Sequence, residues 1–397
     1  MSGTISREEV SLPERFRFTP WIALALGCGF LGLSYGMGSR DPAQLWHSYL
    51  VAFLFFVSLS VGGLFFVLLQ FVTRAGWSVA VRRLAEHVMG TMPVMALLAV
   101  PLASAIGVVY PWANPETVAS DPLLAEKSVY LNVGFFTLRA VVYLVGWSAV
   151  GWWFRRQSLR QDDSGDLRIT HRLQLAAPVA LVFFGVTVTM ASFDWIMSLD
   201  PYWYSTIYGV YFFAGSVVGI LALVAATTLA LQRLGVLRDV VSAEHLHDMG
   251  KLLFGFVAFW AYIAFSQFML IWYANIPEET IWFAHRFEHG WGVLTWVLAL
   301  GHFVIPFFFL LPRSTKRRPA TLFAASIWLL AMHHLDLYWQ VMPHLHGDGP
   351  VLHALDLLTF LGIGGIFLGS LGALMRSRAL VPVGDPRLAE SLHFEST

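Results

Sequence analysis

The chain has 397 residues, 57% hydrophobic and only 13% charged, with 25 basic and 25 acidic residues that cancel. A soluble domain carries about 25% charged residues, so a soluble globular protein is excluded, and no basic patch points to nucleic acid. A single cysteine, Cys28, rules out a disulfide framework and any zinc or iron–sulfur centre ligated by cysteine alone; its place in the first apolar run predicts a core thiol.

Apolar runs of membrane-spanning length recur along the chain. In order they predict spans at about 20–38, 48–72, 88–110, 129–153, 174–194, 205–231, 251–273, 287–311, 320–340 and 352–375. The leader holds glutamates beside its arginines and lacks a clear cleavage site, so the first run reads as a retained span. Lysine and arginine then set the orientation. The N-terminus, the C-terminal segment and the second, fourth, sixth and eighth connectors hold 21 of the 25. The other side has only Arg40, Lys127 and Arg286, and Arg139 lies inside a span. By the positive-inside rule both termini are expected in the cytoplasm.

The sequence also repeats. His87-Val88-Met89-Gly90 opens the third span and His247-Asp248-Met249-Gly250 the seventh. Pro111-Trp112-Ala113-Asn114 follows the third span, and Trp272-Tyr273-Ala274-Asn275 closes the seventh. Trp46-His47-Ser48 answers Trp203-Tyr204-Ser205, and Asp194 and Pro201 answer Asp336 and Pro343 at the same spacing. No such match joins spans four and eight. The expected fold is an all-α integral membrane protein with ten transmembrane helices. Spans 2–5 and 6–9 form two tandem parallel four-helix bundles, and spans 1 and 10 flank them. The corresponding divisions are 1–45, 46–201, 202–343 and 344–397. The stretch Phe193–Thr206, acidic, aromatic and without a basic residue, is the seam between the copies.

Ionisable groups at membrane depth need a partner or a task. Arg139, about ten residues into the fourth span, is expected near the midplane, roughly 15 Å deep, paired with a carboxylate or carbonyl groups. Other polar groups gather toward the outer side: Gln267 in the seventh span, His333, His334 and Asp336 in the ninth, Asp194 closing the fifth, and His353 with Asp356 opening the tenth. His285, Glu288 and His289 are spaced to share one helical face leading into the eighth span. Histidines titrate near neutral pH and buried carboxyl groups can meet them there. The set Asp194, Asp336, Asp356, Glu288, His289, His333, His334, Arg139 and Gln267 could therefore pass protons outward; the plainer alternative is a polar belt at helix ends. On the inner side, Glu86, His87, Glu244, His245, His247 and Asp248 could admit protons or simply cap helices. His302, midway along the eighth span, reads as a hydrogen-bonded core histidine. The depths of His302, His334 and His289 do not form two matched pairs, so neither haem nor metal is expected on this chain.

The stretch Phe193-Asp194-Trp195-Ile196-Met197-Ser198-Leu199-Asp200-Pro201, continuing to Trp203-Tyr204-Ser205-Thr206-Ile207-Tyr208-Gly209, resembles the polysulfide-reductase or NrfD-like family of quinone-interacting membrane subunits, and within it the branch found in bacterial alternative complex III. So do Gln267 through Ile271-Trp272-Tyr273-Ala274-Asn275-Ile276-Pro277-Glu278-Glu279 and His302-Phe303-Val304-Ile305-Pro306-Phe307. The resemblance covers nearly the whole chain. It implies a cofactor-free membrane subunit of a respiratory or photosynthetic quinol:cytochrome c oxidoreductase in the bacterial cytoplasmic membrane. It further implies as partners a homologous quinol-oxidising membrane subunit, an extrinsic iron–sulfur protein and multihaem cytochrome c subunits. Haem and iron–sulfur clusters would then sit in those partners, with quinone possible but no quinone-binding residue assigned here. A purely structural subunit of the same assembly, or a stand-alone secondary transporter, stays open as an alternative.

Overall fold

The computed structural model describes residues 9–395 and is helical throughout, with no strand among them. Ten helices are long and apolar enough to cross a membrane: Glu14–Gly38, Pro42–Val72, Val79–Ser104, Val133–Ser164, Leu167–Leu199, Tyr208–Arg233, Ala243–Ala274, Trp291–Leu310, Pro319–His344 and Ala354–Arg376. They are spans 1 to 10. This is a multi-pass, all-α membrane protein. The end bearing the odd-to-even connectors, where Asp194 and Asp336 lie, is the acidic end. The opposite one, with both described termini, is the basic end; Arg7 and Glu8 of the leader fall outside the described residues.

Helix ends follow local chemistry. Asp41 accepts from the Gln44 N–H ahead of span 2, and Asn132 from the Phe135 N–H ahead of span 4. Ser242 with His245 and His353 with Asp356 build reciprocal caps on spans 7 and 10. The Lys316 ammonium donates to the carbonyl oxygens of Leu310, Leu311 and Pro312, closing span 8.

Spans 2 and 6 are the axis of the molecule. Nearly all of each is buried, and they pack against one another. Span 2 also touches spans 3, 5, 9 and 10, and span 6 touches spans 5, 7 and 9; span 4 lies against spans 3 and 5, and span 8 against spans 7 and 9. Spans 1 and 10 form a pair at the side. Their axes meet so closely that a Cβ at Gly365 would fall 2.7 Å from Gly27 Cα, and one at Gly369 2.7 Å from Pro20 O. Small residues drive such packing in lipid, where apolar burial alone gives little preference between a helix and an acyl chain. The opposite side of span 1 carries Cys28, which is exposed rather than a core thiol.

Span 3 begins at Val79, earlier than its hydropathy suggests, and breaks between Met89 and Met92. Its first turns carry Arg82, Arg83, Glu86 and His87, all buried. Apolarity could not reveal this stretch as helix because ion pairs, not hydrocarbon, satisfy it. Arg82 bridges Glu86 (3.1 Å) and Asp385 of the C-terminal segment (2.7 Å), and Arg83 bridges Glu86 (2.9 Å) and Asp162 of span 4 (2.8 Å). The C-terminal segment also reaches the other half of the chain. The Ser391 hydroxyl donates to Trp77 O, accepts from the Ala80 N–H and lies 3.2 Å from His245 Nε2.

Candidate functional site

Two buried carboxyl groups organise the acidic end. Asp194 closes span 5. The Arg139 Nε–H and Nη2–H donate to its two oxygens, each at 2.8 Å, and the Tyr143 hydroxyl adds a third bond at 2.8 Å. A parallel fork of this kind is the strongest ion-pair geometry available to arginine. Arg139 Nη1 donates to the Tyr130 carbonyl (3.0 Å), and the guanidinium lies over the rings of Tyr130 (3.8 Å) and Phe135 (4.3 Å). Burial pushes the Tyr130 hydroxyl up to about 12, with nearby Asp194 adding to it. The expected pairing of Arg139 is present, but its depth is not. Span 4 starts at Val133, because Asn132 caps it and 129–132 lie outside the helix. Arg139 is thus only about 9 Å along the helix, nearer the interface than the midplane.

Asp336 lies in span 9 among different company. The Tyr211 hydroxyl of span 6 donates to Oδ1, and the Trp260 indole N–H of span 7 donates to Oδ2 at 3.2 Å. No salt bridge reaches it among the described residues. His302 of span 8 stacks on Trp260, with ring centres 4.0 Å apart and planes 27° apart. Both its ring nitrogens are buried without a hydrogen-bond partner, so it is not the hydrogen-bonded core histidine expected. It lies in a π-helical stretch, Ala299–Val304, a local widening often found where a helix presents a working side chain.

His333 completes this cluster. Its Nε2 is 2.8 Å from Ser58 Oγ of span 2, and the Ser58 hydroxyl hydrogen is already given to Phe55 O at 2.7 Å. Nε2 therefore carries the ring hydrogen, and in the neutral ring Nδ1 keeps its lone pair. Nδ1 has no partner and, with Asp336 Oδ2, borders the space above Gly215 of span 6: a Cβ there would lie 3.1 Å from the nitrogen and 3.8 Å from the oxygen. Gly219, one turn on, leaves room for the other side of the ring. The absence of side chains at these two positions makes room for the His333 ring inside the helix layer.

The remaining candidates disperse. Asp356 accepts from Ser48 (2.5 Å) and Gln44 (3.2 Å), and Gln44 Oε1 meets His346 Nε2 at 2.7 Å, forming a separate chain at the acidic end. His334 faces Phe55 and Phe360, away from Asp336. Gln267 accepts from the Ser205 hydroxyl. His285, Glu288 and His289 do not share a helical face: the short helix Pro277–Phe287 ends first, and His289 takes a left-handed backbone with φ 47°. These three instead line an open cavity of about 760 Å³ with His47, Asp200 and His344. His247 and Asp248 lie at the basic end, in the first turns of span 7, where Asp248 pairs with Lys251.

Arg286, counted by the sequence only as an exposed connector charge, is buried at the acidic end. It lies 3.4 Å from the Trp282 ring centre and donates to Trp282 O and Gln340 O. Burial pulls its guanidinium down to about 9. Its Nη2–H also points at His344 Nε2, 3.3 Å away. The aromatic residues flanking it were the available signal, since arginine is commonly buried when stacked on indole.

No group of three or more histidine, cysteine or acidic side chains is arranged to hold a metal ion among the described residues. A second cavity of about 250 Å³, lined by Leu50, Phe53, Tyr110, Phe136 and Trp195 among others, is almost wholly apolar. Within it the Tyr110 hydroxyl donates to Trp195 O and the Thr137 hydroxyl to Val133 O. That leaves little to bind the two carbonyl oxygens of a quinone ring. No family model matches the chain, and no curated protein is significantly similar to it.

Proposed function

We propose that this chain is a membrane subunit of a quinol:cytochrome c oxidoreductase, similar to the smaller of the two homologous membrane subunits of bacterial alternative complex III, and that it carries protons rather than electrons. Its seat would be the bacterial cytoplasmic membrane with both termini inside, as the distribution of Lys and Arg implies. Spans 2–5 and 6–9 would be two copies of one four-helix bundle. The neighbours support this reading, since spans 2, 3, 4 and 5 contact one another in a ring, as do 6, 7, 8 and 9.

The observation that carries the reading is the cluster at Asp336. A carboxyl group, two histidines and a tyrosine gather among spans 6–9 where they meet span 2, and the acid has neutral donors but no ion pair among the described residues. Such a group can bind and release a proton without stranding a buried cation. His333 Nδ1, which like Asp336 Oδ2 lies over Gly215, would be the acceptor to which Asp336 passes it. Quinol oxidation would be the task of the larger homologue, and the electrons would pass to iron–sulfur and haem groups in the extrinsic partners.

Purification from native membranes tests the assembly. The reading expects co-elution with subunits carrying haem and iron–sulfur absorbance; a homogeneous species of this chain alone would favour a transporter. Within the assembly, Asp336→Asn is expected to lower the protons released per electron in liposomes. An unchanged ratio would reject the proton path and leave a structural subunit.

A further inference from the structure

At the basic end, one arginine is left over from the ion-pair network. Glu86 is taken by Arg82, Arg83 and the Ser158 hydroxyl, Asp162 by Arg83 and the Gly384 N–H, and Asp385 by Arg82. Arg155 of span 4 stands beside them with no ion pair or hydrogen bond among the described residues, and its Nε is buried. His87 is wholly buried, with its ring turned to the Ala379 backbone. A buried donor without an acceptor is costly, and the usual cause is a group not yet accounted for.

Arg155 packs against the break in span 3. A Cβ on Gly90 would lie 3.1 Å from His87 O, 3.2 Å from Arg155 Cδ and 3.1 Å from Leu374 Cδ1 of span 10. Glu86, already shared by Arg82 and Arg83, is the one acid that attracts Arg155, while Arg83 and, one turn past Leu374, the exposed Arg378 repel it. Cations thus exceed acids here, and what is missing is an acceptor with negative charge.

The depth identifies its source. From Val133 to Arg155 the helix runs about 33 Å, slightly more than the hydrocarbon layer of roughly 30 Å. Arg155 therefore lies at headgroup level on the side opposite Arg139. The next residue, Arg156, lies over the exposed Trp152 ring at 4.8 Å, the pairing expected of an interfacial belt.

We propose that Arg155 and Arg378 form a binding site for the phosphodiester of an anionic phospholipid, at the surface where span 3 breaks against spans 4 and 10. Arg155 and Arg378 supply the charge. The ligand completes the ion-pair network that ties the C-terminal segment to the membrane.

The test uses the full chain in mild detergent, titrated with phosphatidylglycerol and followed by native mass spectrometry. One retained lipid per chain is expected. Its affinity should fall roughly fivefold for Arg155→Ala and again for Arg378→Ala, fall less for Arg155→Lys, and stay unchanged for Arg156→Ala. Arg378 is exposed, so its variant keeps the assay decisive even if Arg155→Ala fails to fold. Equal retention by all variants, or equal retention of phosphatidylcholine, would overturn the proposal. So would displacement of the lipid by millimolar inorganic phosphate, which would make this a free-anion site.

Discussion

Asp194 near the end of span 5 and Asp336 within span 9 each lie seven residues ahead of a proline, yet their partners differ in kind. Asp194 is forked by an arginine, and the arginine is fixed in turn by a carbonyl and two aromatic rings. Asp336 has a phenol and an indole as donors, with the His333 ring also packed over Gly215. The first arrangement holds a charge in place and resists change. The second tolerates either protonation state, since no cation nearby depends on the acid's charge. One acid is thus clamped by a cation, and the other has none among the described residues.

The clamp should be the easier of the two to break. Arg139→Ala leaves Asp194 buried and uncompensated and is expected to cost about 3–5 kcal/mol, seen as a large drop in detergent-solubilised melting temperature. The double variant Arg139→Met with Asp194→Leu should recover most of that loss; if it does not, Asp194 is more than half of an ion pair. At the other centre, Gly215→Ala puts a methyl group 3.0 Å from His333 Cε1. A cost of about 1–3 kcal/mol is expected, and a variant as stable as the parent would show that the histidine has room to move. Trp260→Phe removes one donor from Asp336 and should cost only about 1 kcal/mol, measured in the same melts.

The smallest effect belongs to the connector beside the clamp. The Asp121 carboxyl is held below its ordinary range by the Tyr202 hydroxyl and, less so, by the Leu124 N–H. The contact therefore contributes above the ordinary carboxylate value and fades as pH falls through the lower folded value. Tyr202→Phe should leave the melting temperature unchanged. It should speed proteolysis of the 3–4 connector at neutral pH and make no difference near pH 2, while an effect at both pH values would assign the contact to packing alone.

How much of this was legible in the sequence depends on what satisfied each residue. The ten spans were visible because apolarity is what a bilayer demands, and Asp194 and Asp336 stood out because acids at that depth are rare. Hydropathy could not extend span 3 back to Val79, since Arg82, Arg83 and Glu86 are buried there by pairing with one another and with Asp385, 299 positions further on than Glu86. The partner of Arg139 was equally remote, so its pairing could be expected but not named. His302 deceived because the π-helical turn that carries it has no sequence signature. Glu288 and His289 did so because i, i+3 spacing means a shared face only where the helix continues.

Infrared difference spectroscopy between acidic and alkaline pH, on the reconstituted chain, tests the contrast most directly. A carboxylic acid carbonyl band that is present in the parent and in Asp194→Asn, and gone in Asp336→Asn, is the predicted result. A band that disappears with Asp194 and survives the loss of Asp336 would contradict the assignment of clamp and titratable centre.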